Sequence, residues 1–516
     1  MEAIVLKSFV GGKWVAGSDR GTALGNPSDG ATVAWSSSKG VNLAAALDYS
    51  RRVGGPNLRK MTYASRAALL GRIAETLAAH RERWSEISRI NSGCTKSDAA
   101  LDVDGSIGTL KYFARLGARL GETSLLADDQ PAQLTRAQNF QGCHVGVPLH
   151  GVAILINAFN FPAWGLWEKA AISLMAGVPV FAKPATATAW LAQEMVESLI
   201  SANVLPEGSL SVLCGSPGDL LEHVCFGDVV SFTGSASTGA MVRWHDRVRA
   251  QGIRVNVEAD SLNSAILGPD GAPGTPAFQF FVREVVREMT IKAGQKCTAI
   301  RRILAPADRV GAVTEAIAAE LAKVVVGDPA NPEVTMGPVV NESQRAGVEA
   351  GITTLSGEAE IVFNPKAPSG GAFVSPTLLK LRPESEGRVV NEVEVFGPVS
   401  TVIPYRNSEE AFEIARRGGG SLAASVYSAD PDYLAGAAAA LGSSTGRVLL
   451  VDPTIGDLHP GHGVVLPSLT HGGPGRAGGG EELGGLNGLW FYHQKVALQG
   501  SDTTLKQVLT RAGNPR

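Results

Sequence analysis

No stretch of this chain stays apolar long enough to cross a bilayer. A spanning helix needs roughly 18 or more apolar residues in a row. The best candidate, 170–182, is broken by Ser173, Gly177 and Pro179. Charge imbalance is missing too: 46 Lys and Arg stand against 49 Asp and Glu, a net charge of -3. That gives no electrostatic footing for nucleic acid or an anionic membrane. Cysteine is scarce, with five in 516 residues and no Cys-x-x-Cys pair, so neither a disulfide framework nor a structural zinc site is expected. The nine histidines fall in no His-Glu-x-x-His or other metal-ligand spacing, and no metal is expected. The opening Met1-Glu2-Ala3-Ile4-Val5-Leu6-Lys7 is too charged and too briefly apolar for a secretory leader. These absences lead to the expectation of a soluble, cytoplasmic protein. At the usual domain size of roughly 100–200 residues it would have two or three domains.

Glycine, by contrast, is abundant at 61 residues, which implies many tight turns and close backbone approaches. Phe9 to Val15 reads as a hairpin around Gly11-Gly12. Helical spacing runs over 42–53 and 65–91, and again over 102–120 with Asp104 as a start signal. Residues 128–148 are polar and irregular, with a strand over 140–147. From Gly151 the pattern changes. Short apolar runs at 151–156, 178–182, 209–213 and 229–232 alternate with helical segments at 164–175, 189–203 and 217–224. This alternation predicts a doubly wound parallel sheet. Ligands of such sheets bind at the carboxyl ends of the strands, and Asn157, Lys183, Gly215 and Gly234 lie just past them. A second alternation runs from 254 to about 464. A glycine-rich stretch follows at 467–485, then a last strand over 490–498.

Cys297, in Gly294-Gln295-Lys296-Cys297-Thr298-Ala299, is the one cysteine in a polar stretch with small neighbours. Lys296, Arg301 and Arg302 would favour its thiolate; a half-buried structural cysteine is the plainer alternative. Three further stretches bear on the choice: Asn157-Ala158-Phe159-Asn160-Phe161-Pro162, Phe232-Thr233-Gly234-Ser235 and Glu394-Val395-Phe396-Gly397-Pro398. Together with Cys297 and Glu258 they resemble the signature set of the aldehyde dehydrogenase superfamily, and the resemblance runs from about residue 9 to about residue 500.

The resemblance implies an α/β aldehyde dehydrogenase fold. A Rossmann-like NADP-binding domain would take 1–133 and 150–260, an α/β catalytic domain 261–476, and a small β oligomerisation element 134–149 and 477–516. Cys297 would be the nucleophile. The Asn160 amide and the Cys297 backbone N–H would hold the oxyanion, and Glu258 would be the general base. Lys169 and Glu482 match residues that relay the proton; an internal salt bridge serves equally well as their reading. The cofactor would run along Ile156, Asn157, Ala158 and Phe159, past Lys183, Ala185, Thr186 and Gly215, and over Phe232, Gly234 and Ser235. It would end at Glu258, Ala259 and Asp260, with Glu394 on the nicotinamide ribose and Phe396 on the ring.

Three departures bear on specificity. Gly234 to Gly239 is not the Gly-x-Gly-x-x-Gly fingerprint, and a plain strand–helix turn reads as well there. Thr186 stands where NAD-using relatives commonly carry a glutamate that grips the ribose. A carboxylate repels a 2′-phosphate and a hydroxyl does not, so NADP is expected; a helix-capping role for Thr186 fits either cofactor. Glu258-Ala259-Asp260-Ser261 replaces the usual Glu-Leu-Gly-Gly. The Glu remains, and acylating relatives typically lack it, so hydrolysis to an acid is expected.

Gly472 to Gly480 lacks the Gly-Lys-Ser/Thr of a phosphate loop. It replaces a shorter family segment near the aldehyde tunnel, flanked by His462 and His471, which read evenly as substrate contacts or structural residues. Within the superfamily, Glu258-Ala-Asp-Ser-Leu-Asn, Arg283-Glu-Val-Val-Arg-Glu-Met and His471-Gly-Gly-Pro-Gly-Arg resemble a narrower group. Its members are dehydrogenases of aerobic aromatic-acid degradation that act on CoA-linked semialdehydes. A small CoA-linked aldehyde substrate and a homodimer follow as expectations. CoA-acylating oxidation and a binding protein on an inactive scaffold are the rivals.

Overall fold

The computed structural model describes residues 2–128 and 130–513. Two seven-stranded sheets form its centre. In the first, the order is Arg254–Glu258, Val229–Thr233, Ala153–Ile156, Val180–Lys183, Leu210–Val212, Lys7–Val10 and Lys13–Ala16. The first five strands run parallel, as the alternation of apolar runs and helices predicts. The last two join antiparallel as the expected hairpin. Its turn residues, Gly11 and Gly12, have φ of 60° and 76°, the left-handed pair that a two-residue hairpin turn requires.

The second sheet has the order Ala359–Phe363, Thr377–Leu381, Val399–Tyr405, Ile300–Pro306, Asn263–Leu267, Ser421–Tyr427 and Thr445–Val451. All its pairs are parallel except the first. Successive side chains of a strand point to opposite faces. Ala265 and Leu267 accordingly enter one core with Ile303 and Val402, while Ile266 enters another with Leu304 and Ile403. Both faces are covered, which parallel sheets need.

A third sheet joins Leu125–Ala127, Phe140–Pro148, His493–Ser501 and Ala512–Gly513, with Ala132–Gln133 beside it. It therefore begins before the expected segment at 134. The last long strand is His493–Ser501, not 490–498. Trp490 and Phe491 end the helix Leu486–Phe491, and the Trp490 ring lies so close over Gly146 that a Cβ there would come within 2.6 Å. Phe140–Pro148 pairs along its whole length with His493–Ser501.

Two helix boundaries differ from the sequence pattern. The segment 65–91 is two helices, Tyr63–Ala79 and Arg81–Ser92, broken at His80. The Trp84 indole bridges the break by donating to the Leu77 carbonyl at 2.8 Å. The next helix starts at Lys96 rather than near Asp104, because Thr95 and Asp98 form a capping box. Asp104 instead pairs with Arg81 at 2.6 Å on the surface. Buried Asp102 accepts from the Ala163 and Trp164 amides, and so satisfies the N-terminus of a different helix, Trp164–Ala176. The segment 217–224 holds only the four-residue 3-10 turn Leu220–His223. No helix among the described residues is long and apolar enough to cross a membrane.

The carboxyl ends of the first sheet's strands and the amino ends of the second sheet's strands face a common seam, and the chain crosses it in a left-handed turn. Lys292, Ala293 and Gly294 have φ of 51°, 52° and 68°. A Cβ on Gly294 would lie 2.1 Å from the Gly397 carbonyl oxygen, which the backbone can relieve only by moving. Gly294→Ala should destabilise the protein by about 1–3 kcal/mol. Gly71→Ala, at a helical glycine with open space around it, should be neutral or stabilising. Thermal unfolding checks this: coincident transitions for Gly294→Ala and wild type would show that the close approach does not constrain the turn.

Candidate active site

Cys297 follows this turn, and long-range bonds fix its backbone. The Lys292 amide donates to Asp98 Oδ1 at 3.0 Å. Gln295 donates to the Lys292 carbonyl at 2.9 Å and accepts from the Val340 amide at 2.9 Å. Arg301 donates to the carbonyls of Gly294 and Gly397. Asn263 donates to the carbonyls of Cys297 and Ala299 at 2.8 and 2.9 Å. Asn263 closes the Glu258-Ala-Asp-Ser-Leu-Asn motif, so that motif holds the cysteine loop as well as the carboxylate.

The basic neighbours of Cys297 do not serve the thiol as the sequence suggests. The Lys296 ammonium is paired with buried Glu288 at 2.6 Å, and Arg301 and Arg302 donate to backbone carbonyls. Burial and the adjacent Glu258 carboxylate push the Cys297 thiol well above the ordinary cysteine range. The free protein therefore holds a thiol there.

Glu258 ends its strand, buried, with Oε1 3.2 Å from His471 Nε2. Burial pushes its carboxyl up, but the His471 ring and Lys169 more than reverse this and hold it below the usual carboxylate range. Lys169 is buried in the helix Trp164–Ala176. Its ammonium lies 2.8 Å from Glu168 and 2.9 Å from Glu482. Burial alone would lower its pKa; the glutamates raise it instead. Glu482 also accepts from Ser231 and Asn256. The carboxylates of Glu168, Glu258 and Glu482 gather within 4.8 Å of one another. The ion pair thus exists, and it reaches the candidate base.

Two cavities meet at this point. The smaller is walled by apolar Phe161, Trp164, Val464 and Val465. The larger is lined by Phe159, Ala185, Gly234, Ser235, Glu394 and Phe396, with Ala259 and Asp260 beside them. Ala158, Asn160, Thr233, Glu258 and Cys297 line both.

The remaining predicted residues divide. Ser235 caps the helix Ala236–Trp244, and Asp260 accepts from the Ala236 amide at 2.9 Å. Gly239 lets that helix lie against the sheet, since a Cβ would meet Val257 at 2.8 Å. Glu394 accepts from the Ser261 amide at 3.0 Å and lies 3.5 Å from Arg301; burial raises its pKa to about 7. Phe396 meets Phe159 edge-on, with ring centroids 5.8 Å apart.

Thr186 does not cap the following helix. Its hydroxyl donates to the Gly215 carbonyl at 3.1 Å, and the helix Ala189–Ser201 has Thr188 at its N-cap with no side-chain bond. Lys183 donates to the Pro184 carbonyl at 2.7 Å. Asn157 opens onto the smaller cavity rather than the larger, and its side-chain polar atoms are buried without partners. Half-buried Ile156 packs against a core that contains the Phe232 ring.

Sequence reasoning missed Glu168 as a site residue and left His471 undecided. Glu168 was legible as an acid beside Lys169 in the mostly apolar Trp164–Ala176. His471 is placed by strand pairing: it lies opposite Glu482 in the hairpin Thr470–Gly473 and Gly480–Leu483. The glycines between pack on backbone; a Cβ on Gly478 would lie 2.2 Å from the Val257 carbonyl. His462 lines neither cavity. It is buried against Ser425 at 2.8 Å, and burial lowers its pKa to about 4.

The arrangement presents a thiol, a carboxylate and an amide where an apolar cavity opens onto a larger, more polar one. The sequence profile of the aldehyde dehydrogenase family matches residues 14–497. The chain is 50% identical to 3,4-dehydroadipyl-CoA semialdehyde dehydrogenase of Aromatoleum evansii over 477 residues, 91% of this chain and 93% of that one. It is 30% identical to alpha-ketoglutarate semialdehyde dehydrogenase of Haloferax volcanii over 447 residues, 82% of this chain and 86% of that one. Among crystal structures, lactaldehyde dehydrogenase from Escherichia coli superposes with a TM-score of 0.84 at 21% identity, covering 96% of this chain and 99% of that one. Betaine aldehyde dehydrogenase from Staphylococcus aureus, in complex with NAD+, does so with 0.83 at 22%, covering 96% and 94%. At those identities the likeness is one of fold, and it is the profile and the 50% relative that establish that this chain belongs to the aldehyde dehydrogenase family.

Proposed function

We propose that this enzyme oxidises the aldehyde group of 3,4-dehydroadipyl-CoA semialdehyde to the carboxylic acid, with NADP as hydride acceptor. The carrying observation is the junction of the two cavities at Cys297, Asn160 and Glu258. The acyl chain is taken from the 50% relative. The smaller cavity suits the aldehyde end of such a molecule; the nucleotide handle would stay outside its mouth.

Cys297 gives up its proton to solvent as its sulfur adds to the carbonyl carbon, which leaves Glu258 ionised for the later step. The Asn160 amide and the Cys297 N–H donate to the oxygen that becomes negative, donors worth roughly 3–4 kcal/mol each when preplaced. The larger cavity, with Ser235 at a helix N-terminus and Phe396 at the other end, fits a dinucleotide, which when bound accepts the hydride. A thioester then remains on Cys297. Glu258 takes a proton from water as that water attacks the thioester carbon and the S–C bond breaks. The Lys169, Glu168 and Glu482 cluster leads the proton away.

The preference for NADP rests on Thr186. Its hydroxyl, engaged with Gly215, places no negative charge against a 2′-phosphate, and Lys183, lowered by burial to about 8, supplies a donor in the same turn. We further propose a homodimer. His493–Ser501 ends its sheet, and so long an open edge is normally covered.

Steady-state rates on free and CoA-linked semialdehydes, with NAD and NADP, test the substrate and cofactor together. The 3,4-dehydroadipyl-CoA semialdehyde with NADP should give the highest kcat/KM, and Thr186→Glu should shift preference toward NAD. A higher value for 3-oxo-5,6-dehydrosuberyl-CoA semialdehyde, or a need for free CoA, would replace the substrate reading. Unchanged selectivity in Thr186→Glu would place 2′-phosphate discrimination elsewhere. Glu258→Gln should give a pre-steady-state burst of NADPH followed by little turnover; loss of the burst would place Glu258 in the first step. Sedimentation at micromolar concentration should show a dimer, and an active species at the 53.7 kDa chain mass would refute it.

A further inference from the structure

We propose that Cys297, Glu258 and His471 form a binding site for zinc at the junction of the two cavities, one that blocks the enzyme reversibly. No spacing in the sequence suggests it, because the three residues come from widely separated segments. In the fold, a carboxylate oxygen of Glu258, Cys297 Sγ and a ring nitrogen of His471 all lie within 4.8 Å of one another. Zinc holds sulfur at about 2.3 Å and imidazole nitrogen at about 2.0–2.1 Å, so its tetrahedral ligands stand about 3.5 Å apart. The 3.2 Å between His471 Nε2 and Glu258 Oε1 is already close to that separation, and side-chain rotation suffices to bring the thiol in.

The donor set is of the kind zinc favours: one thiolate, one imidazole and one carboxylate. The framework beneath it is rigid. Cys297 is held through its carbonyl by Asn263. Glu258 ends a strand paired to Val229–Thr233, and His471 sits in a two-stranded ladder. All three side chains also line the smaller cavity, which leaves the fourth position open to water, the pattern of three protein ligands and one exchangeable site. The neighbouring group of Glu168, Glu258 and Glu482 is no rival, since the Lys169 ammonium bridges two of its members. His471 Nδ1 is buried without a partner. The imidazole therefore lacks the outer hydrogen bond that strengthens resident zinc sites, and the ion should be removable by chelators.

On binding, the Cys297 S–H bond breaks, its proton goes to solvent and an S–Zn bond forms. The His471 and Glu258 donors replace two further waters of the hydrated ion. No oxidation is involved. The metal then occupies the thiol needed for addition and the carboxylate needed for hydrolysis, so it excludes the aldehyde.

The test uses the full-length enzyme, first stripped with a chelator. Zinc titrated by calorimetry should bind at one ion per chain, and cobalt(II) should show a thiolate-to-cobalt charge-transfer band. Cys297→Ser and His471→Asn should each weaken binding by more than about tenfold, while Cys225→Ser, at the other incompletely buried cysteine, should not. On wild-type protein, zinc should protect Cys297 from iodoacetamide, read by peptide mass, and chelator should restore alkylation. Wild-type affinity in Cys297→Ser, cobalt bound without the thiolate band, or alkylation unaffected by zinc would each overturn the site. Turnover of the chelated enzyme is measured separately, so failure here leaves the dehydrogenase reading standing.

Discussion

The left-handed turn at residues 292–294 is the constraint on which the site depends. Two of its residues, Lys292 and Ala293, carry side chains in a backbone region that costs on the order of 1–2 kcal/mol each. Such a turn persists only where the surroundings over-determine it. Here Asp98 holds it from the first helical region, Gln295 ties it to Val340, and Arg301 ties it to Gly397. These partners come from the helix Lys96–Leu120 and from loops beside the second sheet, so the position of Cys297 is set by the way helix and sheet meet. Asn263 then ties Cys297 to the strand that follows Glu258, and the thiol and the carboxylate become parts of one framework.

The second constraint is buried charge. Glu168, Lys169, Glu258 and Glu482 are all nearly inaccessible to water, and ionised groups are costly to bury unless paired. The ammonium of Lys169 between two carboxylates, with Ser231 and Asn256 on Glu482, meets that cost for most of the group. Glu258 is met instead by His471 and stays ionised. Cys297 has no such partner, and beside a carboxylate its proton is retained.

The glycine abundance follows from the same geometry. Gly294 against Gly397, Gly478 against Val257 and Gly239 against Val257 are places where backbone or helix approaches the site too closely for a Cβ. The glycine-rich stretch before Glu482 is thus a packed hairpin that carries His471 and Glu482 to opposite positions of one ladder, each aimed at a member of the buried charge cluster.

Local pattern and chemistry were enough to determine the parallel first sheet, the hairpin at Gly11-Gly12, and the family to which Cys297, Glu258 and Asn160 belong. Apolar runs, turn glycines and reactive side chains announce themselves within a few residues. What they could not determine was decided by contacts across the fold. Asp104 read as a helix start because an acid before a helical pattern looks the same whether it caps its own helix or pairs with Arg81. Lys296 and Arg302 read as partners of the thiol because charge in sequence carries no direction; in the fold they turn to Glu288 and to backbone carbonyls. Thr186 read as a hydroxyl facing a 2′-phosphate or as a cap, and in the fold that hydroxyl crosses to the Gly215 carbonyl. His471 gained its place beside Glu258 only from the register of two strands, and register depends on which backbone pairs with which. Tertiary structure alone supplied that direction, because hydrogen bonding and ion pairing act through space at about 3 Å, whatever the separation along the chain.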